Sequence, residues 1–314
     1  MNRQLESALE IRYVKLHFNA VLLQDAMLPA DKVSALRGGM GEMLLRANCV
    51  RNRECAYCDF EPECIVRRTM YSKYDIVPSF VKTSDSIGYI LECEDRGEVF
   101  YEGDSLQFQL ILFGKAIVYF NQYLQAFFAL GMEGLGKEHA RYQIVSVTNT
   151  RNQPLLADGA VYMKNFQVQT IGEYVKYRME RICRTTCQNR IVFHTPLTLK
   201  YQNVFLEEYH MEAIWSAVLR RIYMLECYEG IEDTVYDIEE LKDSVLPDIE
   251  WQEARHINVR RYSSTQDRKM VLGGIKGFVQ LGLIPNQMLP VFLAGELTHI
   301  GKNTSFGFGR YSVV

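Results

Sequence analysis

Residues 11–22, IRYVKLHFNAVL, are rich in β-branched and aromatic types, which predicts a strand. The period then lengthens. Val33, Leu36, Met40, Met43 and Leu44 recur at helical spacing, with Asp31 placed to cap the start. IGYILECE and SLQFQLILFG predict two more strands, and AIVYFNQYLQAFFALG a helix. GLGKEHARYQIVSVTN reads as a glycine turn feeding another strand. The order is β-α-β-β-α-β, the ferredoxin-like series.

The second half repeats it. NRIVFHTPLTLKY predicts a strand and LEEYHMEAIWSAVLRRIYMLECYEG a long helix. HINVRRYSS and KMVLGGIKGFVQLG predict two strands, QMLPVFLAGELTHI is helical near its middle, and GKNTSFGFGRYSVV closes as a glycine turn and strand. Both halves thus end in helix, glycine–basic turn and strand, an internal parallel. The predicted class is α+β: two tandem ferredoxin-like (RRM-like, βαββαβ) domains, with a cysteine-rich insertion in the first. The expected boundaries are 1–150, a linker region at 151–185 marked by TNTRNQPLLADG, and 186–314.

Composition adds limits. At 314 residues, 48% apolar and 23% charged, the chain is an ordinary globular protein of about two domains. It contains no apolar run of the roughly 18 residues a membrane helix needs, and its charged start lacks a signal region. A cytoplasmic location without membrane contact is expected. The net charge of −3 is unevenly spread: residues 225–250 carry ten acids against one lysine, and 252–314 eight Lys and Arg against three acids. That asymmetry can give one positive face on a slightly negative molecule.

Four of the eight cysteines crowd into CVRNRECAYCDFEPEC: Cys49, Cys55, Cys58 and Cys64, spaced C-x5-C-x2-C-x5-C. Four thiolates are what tetrahedral zinc or an iron–sulfur cluster needs, and the x2 pair is the usual chelating unit. A structural zinc is expected ahead of iron–sulfur; a metal-free loop of thiols is the alternative. Cys93, Cys183, Cys187 and Cys227 read as simple buried thiols.

The C-terminal run ELTHIGKNTSFGFGRYSVV sets His299, Lys302 and Arg310 around Gly301, Gly307 and Gly309. It matches neither G-x-G-x-x-G nor G-x-x-x-x-G-K-[ST], so a nucleotide loop is a poor fit. Such a loop lies against a neighbouring domain or an extended backbone such as RNA. Arg260, Arg261, Tyr262 and Arg268 add a basic stretch around an aromatic, suited to phosphate contact and base stacking. In an alternating strand Arg260 and Tyr262 share a face, opposite Arg261. Lys200 and Lys137 are weaker phosphate candidates.

In this order, LPADKVSALRGGMGEMLLRANC, GLGKEHARYQIVSV, FHTPLTLKY, RRYSSTQDRKMVLGGIKGFVQ and GELTHIGKNTSFGFGRYSVV resemble the CRISPR-associated precursor-RNA-processing endoribonucleases of the RAMP superfamily. The resemblance runs from about residue 11 to the C-terminus. It implies two ferredoxin-like domains with a CRISPR repeat RNA in a basic cleft between them. It further implies metal-independent cleavage by the 2′-hydroxyl beside the scissile phosphate, leaving a 2′,3′-cyclic phosphate and a 5′-hydroxyl. Possible partners include CRISPR effector subunits, and the chain would act as a monomer or homodimer.

That reaction needs a base, an acid and cations on the phosphorane. Histidine titrates in the right range, and arginine binds phosphate oxygens in pairs. Of six histidines, His299 has the best local setting, directly before the glycine loop. The resemblance implies a catalytic histidine in or near the first helix, which has none here; His17, in the first strand, is the nearest substitute. Arg37, at the LRG turn, is placed to face the cleft. His194 reads as packing or RNA contact; His139, His210 and His256 have no constellation. Two rival readings stand beside this one: a non-catalytic RNA-binding subunit of the same superfamily, and a redox protein built on the four cysteines.

Overall fold

The first strand forms as β1 (Arg12–Leu22), its alternation sending Leu16, Phe18, Ala20 and Leu22 into the core and leaving Lys15, His17 and Asn19 half-buried on the other face. The computed structural model describes residues 9–71, 74, 76–78, 81, 86–182, 189–232, 234–263 and 268–314. Helix α1 (Val33–Asn48) buries Val33, Leu36, Met40, Met43 and Leu44, the residues its period predicted. Asp31 does not cap it. The N-cap position falls to Lys32 with no side-chain bond, because Asp31 is drawn to Arg96 at 3.0 Å. After the cysteine loop come the short α2 (Ile65–Met70), β2 (Tyr89–Glu92), β3 (Ser105–Phe113), α3 (Phe120–Glu133) and β4 (Tyr142–Thr148). The sheet order is β2-β3-β1-β4, antiparallel throughout.

Residues 151–182, within the expected linker region, are structured. Strand β5 (Pro154–Ala157) extends the first sheet beside β4, and α4 (Ile171–Ile182) follows. Ile171, Val175 and Ile182 of α4 are buried in the same apolar cluster as the second half of the chain. Cys183 and Cys187 lie outside the described residues; Cys93 and Cys227 are buried free thiols.

The second half folds as β6 (Arg190–Leu197), α5 (Met211–Glu229), β7 (Ile249–Ser263), β8 (Arg268–Leu281), α6 (Leu289–Thr298) and β9 (Tyr311–Val313). Its order, β7-β8-β6-β9, repeats that of the first sheet. The molecule is thus a mixed α+β fold of antiparallel sheets. Strands β7 and β8 are far longer than their counterparts and pair from Ile249–Leu281 to Ser263–Arg268, forming a long hairpin arm.

The two halves share a core. One face of the first sheet packs on α1 and α3 through Phe18, Phe108 and Phe127. The other face supplies Tyr13, Ile90, Ile111 and Phe113 to the cluster built by α5 and α6. Burying that much apolar surface between the halves, at about 25 cal/mol per Å2, opposes their separation. Among the described residues no helix is long and apolar enough to cross a membrane.

Candidate nucleic-acid interface

The C-terminal loop sits where the halves meet. Gly301, Gly307 and Gly309 have φ of 82°, 75° and 71°, which side-chain-bearing residues rarely adopt. A Cβ on Gly307 would lie 2.7 Å from the Leu91 carbonyl of β2, and one on Gly301 2.7 Å from that of Thr198. On Gly309 it would lie 1.8 Å from the Ile300 carbonyl. These glycines were expected to lie against a neighbouring domain or RNA. In the structure they admit protein backbone, Gly301 and Gly309 within the second half and Gly307 across to the first.

His299 is corrected likewise. It is 0% exposed, with Nε2 2.8 Å from Glu92 Oε1 and Nδ1 3.2 Å from the Phe308 carbonyl. Only a protonated ring donates to both, and burial, which lowers the His299 pKa, opposes that charge. Its backbone, φ 53° and ψ 164°, lies in a region nearly reserved for glycine. A ring so enclosed cannot reach a phosphate, so His299 acts as an interdomain tie.

Glu92 is the hub of that tie. Lys15 Nζ donates to it at 2.7 Å, and Arg310 lies 3.9 Å away while also pairing with Glu94. Burial pushes the Glu92 carboxyl up, but Lys15, His299 and Arg310 outweigh it and hold the group well below the usual carboxylate range. The strand register sets Glu92 opposite Gln109 and Gln109 opposite His17, one polar row across three strands. Half-burial and the neighbouring Lys15 keep the His17 pKa low, with Glu92 pulling the other way.

Glu92, at the end of the row, lines a groove of about 240 Å3 shared by both halves. Asp31, Glu94 and Arg96 line one side; His194, Lys276 and Arg310 line the other. His194 is exposed, its Nε2 2.8 Å from Ser312 Oγ. Partial burial lowers its pKa, aided by the Arg310 and Lys276 cations. The groove opens onto a face of the second sheet that no described helix covers. There Arg190 lies over the Phe278 ring at 4.6 Å, Trp251 meets Phe278 edge-on at 4.9 Å, and Arg255 is paired in register with Lys276. Trp251 is 59% exposed. Aromatic faces among cations suit single-stranded nucleic acid. Sequence reasoning missed Lys276, Arg190, Arg255, Trp251 and Phe278. The signal was the strand alternation, which puts Arg190 and His194 on one face and Lys276 and Phe278 on one face.

The other expected residues scatter around this centre. Arg37 lies on the far side of the loop, over the Phe306 ring at 4.2 Å and donating to Ser86 at 2.9 Å and Ser305 at 3.3 Å. Lys200 and Lys302 converge on the half-exposed Phe205 ring, at 4.7 and 5.7 Å. Arg260 is exposed on the hairpin arm; the backbones of Arg261, Tyr262 and Arg268 continue it, and their side chains lie outside the described residues. Lys137 is exposed in the turn closed by the Leu135–Ala140 bridge, on none of the elements that meet at the loop. The four clustered cysteines line one cavity, but among the described residues no three His, Cys, Asp or Glu converge to hold a metal ion.

Two family profiles divide the chain: residues 9–171 match the N-terminal domain AF_1859_N, and residues 191–311 match CRISPR-associated endoribonuclease Cas6. The second half of the chain is thus similar to the Cas6 endoribonucleases. It is similar in fold to a chain of a partial Cas6-RT-Cas1–Cas2 complex, with a TM-score of 0.60 at 10% identity, over 97% of this chain and 46% of that one. A second Cas6-RT-Cas1–Cas2 chain matches over 29% of its length, so this chain spans less than half of either. A Cas6 product complex gives a TM-score of 0.54 at 14% identity, covering 96% of this chain and all of the other. At such identities these likenesses concern fold alone. No individual curated protein matches the sequence.

Proposed function

We propose that this chain is a Cas6-type endoribonuclease that cuts CRISPR repeat RNA without a catalytic metal, on two tandem ferredoxin-like domains. The groove that sets Glu92, the end of the His17–Gln109–Glu92 row, beside His194, Lys276 and Arg310 carries the reading. His194, kept neutral by its surroundings, takes the proton of the 2′-hydroxyl. The 2′-oxygen bonds to phosphorus, the bond to the 5′-oxygen breaks, and His17 in its protonated form supplies that oxygen's proton. Lys276 and Arg310 hold the phosphorane charge, while Trp251 and Phe278 stack flanking bases.

The test is cleavage of a matched repeat RNA by the purified chain in EDTA, beside the same RNA carrying a 2′-deoxy sugar at the cut. Specific cutting that the 2′-deoxy substrate abolishes supports the chemistry. His194→Ala and His17→Ala then lower the rate by roughly 10²–10⁴-fold each, the usual worth of general acid–base catalysis. Cutting that survives both changes would overturn the residue assignment. A second reading is a guide-binding subunit that does not cut. It is favoured by the burial of His299 and by the lack of any histidine on α1. Tight binding of a cognate repeat without cleavage would decide for it.

A further inference from the structure

We propose that Cys49, Cys55, Cys58 and Cys64 form a four-thiolate metal centre that staples α1 to α2. All four are free thiols on the wall of one cavity of about 830 Å3. Cys49 directly follows α1, and Cys64 directly precedes α2. Between them Cys55 and Cys58 bracket a single 3-10 turn, with the Cys58 N–H donating to the Cys55 carbonyl at 3.2 Å. That short turn keeps the two residues close along the backbone, the spacing of a chelating C-x2-C pair. Cys49 Sγ accepts the Arg53 N–H at 3.2 Å, across a turn in which Asn52 and Arg53 both have positive φ. A backbone N–H aimed at sulfur stabilises thiolate, the form that binds metal.

The second argument is the loop's lack of a core. Tyr57 and Phe60 are 80% and 61% exposed, and no residue from 50 to 63 is buried. Apolar burial therefore does not offset the entropy of ordering these residues. A metal bound by the four thiolates would, because ligation free energy becomes folding free energy. The thiols line the cavity without converging, so ion binding must draw the loop inward, over α1 and toward Leu45, Ile65 and Met70 on the cavity wall. Zinc and an iron–sulfur cluster share this ligand chemistry, and the experiment separates them.

The full chain is purified without chelators or added metal, and its zinc, iron and acid-labile sulfide are measured per chain. One zinc in colourless protein, or stoichiometric iron and sulfide with a band near 400 nm, each supports the centre and names its occupant. Cys55→Ser with Cys58→Ser then lowers the bound metal at least tenfold, whereas Cys227→Ser does not. Should the double variant fold poorly, metal-free wild type is titrated with Co2+, for which thiolate charge-transfer bands at one equivalent are expected. A trypsin site at Arg51 or Arg53 should also become protected on loading. Less than about a tenth of an equivalent of any metal, with no cobalt bands, would overturn the proposal.

Discussion

Replacing His299 separates a structural tie from a catalytic group. Alanine removes a buried ring that touches Glu92 and Phe308. Losing a hydrogen bond to a charged group costs about 1.5–3 kcal/mol, and the space left behind adds to that. Glu92 keeps Lys15 and Arg310, so its charge is not stranded, and about 3 kcal/mol is a fair total. At roughly 2–4 °C per kcal/mol for domains of this size, the melting temperature should fall by about 6–12 °C. The backbone gives a sharper test. Alanine keeps the strained φ of 53°, whereas glycine adopts it freely, an advantage of about 1–3 kcal/mol. His299→Gly should therefore melt above His299→Ala, the reverse of the usual order, and both should still cut repeat RNA well below their melting points. Differential scanning calorimetry and single-turnover cleavage at 20 °C provide the readings. An unchanged melting temperature with cleavage reduced a thousandfold would refute this assignment and restore His299 to the chemistry.

Gly307→Ala brings a Cβ to 2.7 Å from the Leu91 carbonyl at a φ of 75°, so it should destabilise by about 2–4 kcal/mol in urea unfolding. Gly38→Ala, with nothing within 4 Å of its Cβ on an exposed helix face, should be neutral or slightly stabilising in the same assay. Glu226 is fully buried against the Val235 N–H, and burial raises its pKa from 4.5 to about 8. Its folded form holds the proton longer than the unfolded chain, so this contribution is complete below about pH 4.5 and lost as pH rises through about 8. Glu226→Gln should therefore match wild type at pH 4 and melt higher at pH 9, by a gain of at most about 5 kcal/mol; equal melting at pH 9 would contradict it. Trp251→Ala should weaken binding of single-stranded repeat RNA by about 1–3 kcal/mol in fluorescence titrations. Lys276→Ala should lower the slope of log affinity against log salt by about one.

Periodicity carried the fold, because strands and helices are set by spacing within one element. The buried face of α1 and the doubled β-α-β-β-α-β order were readable for that reason. The site was legible only in part. Arg310 and His17 were visible as residue types in suggestive places; Arg310 lies where the halves meet, and His17 is half-buried near Glu92. The role of His299 was not visible, because its partner Glu92 is 207 residues away and only the fold brings them together. Gly307 misled for the same reason: positive φ and close approach were inferable, but the neighbour that requires glycine is the Leu91 carbonyl in the other half. Long-range partners are invisible to local pattern.

The two halves share one strand order but not one task, and the difference follows from what covers each sheet. In the first, α5 and α6 bury the end of the outer face that carries Ile90, Ile111 and Phe113, leaving the polar row of His17 and Gln109 at the margin. In the second, the face bearing Arg190, Lys276 and Phe278 has no such cover among the described residues, and β7 and β8 extend it as the hairpin arm. An uncovered face with cations and aromatics can hold a strand of RNA, while a margin with a half-buried histidine can hold one reacting phosphate. Glu92 joins the two regions: through Lys15 it anchors the first sheet, and through His299 and Arg310 it fixes the loop bordering the second. The arrangement therefore makes groove geometry depend on one buried carboxylate. Glu92→Gln keeps the shape but removes the charge that balances Lys15 and Arg310. It should lower cleavage more than RNA binding, because affinity is spread over the open sheet while alignment of His17 with His194 is not. Equal losses in both would show instead that Glu92 serves the fold alone.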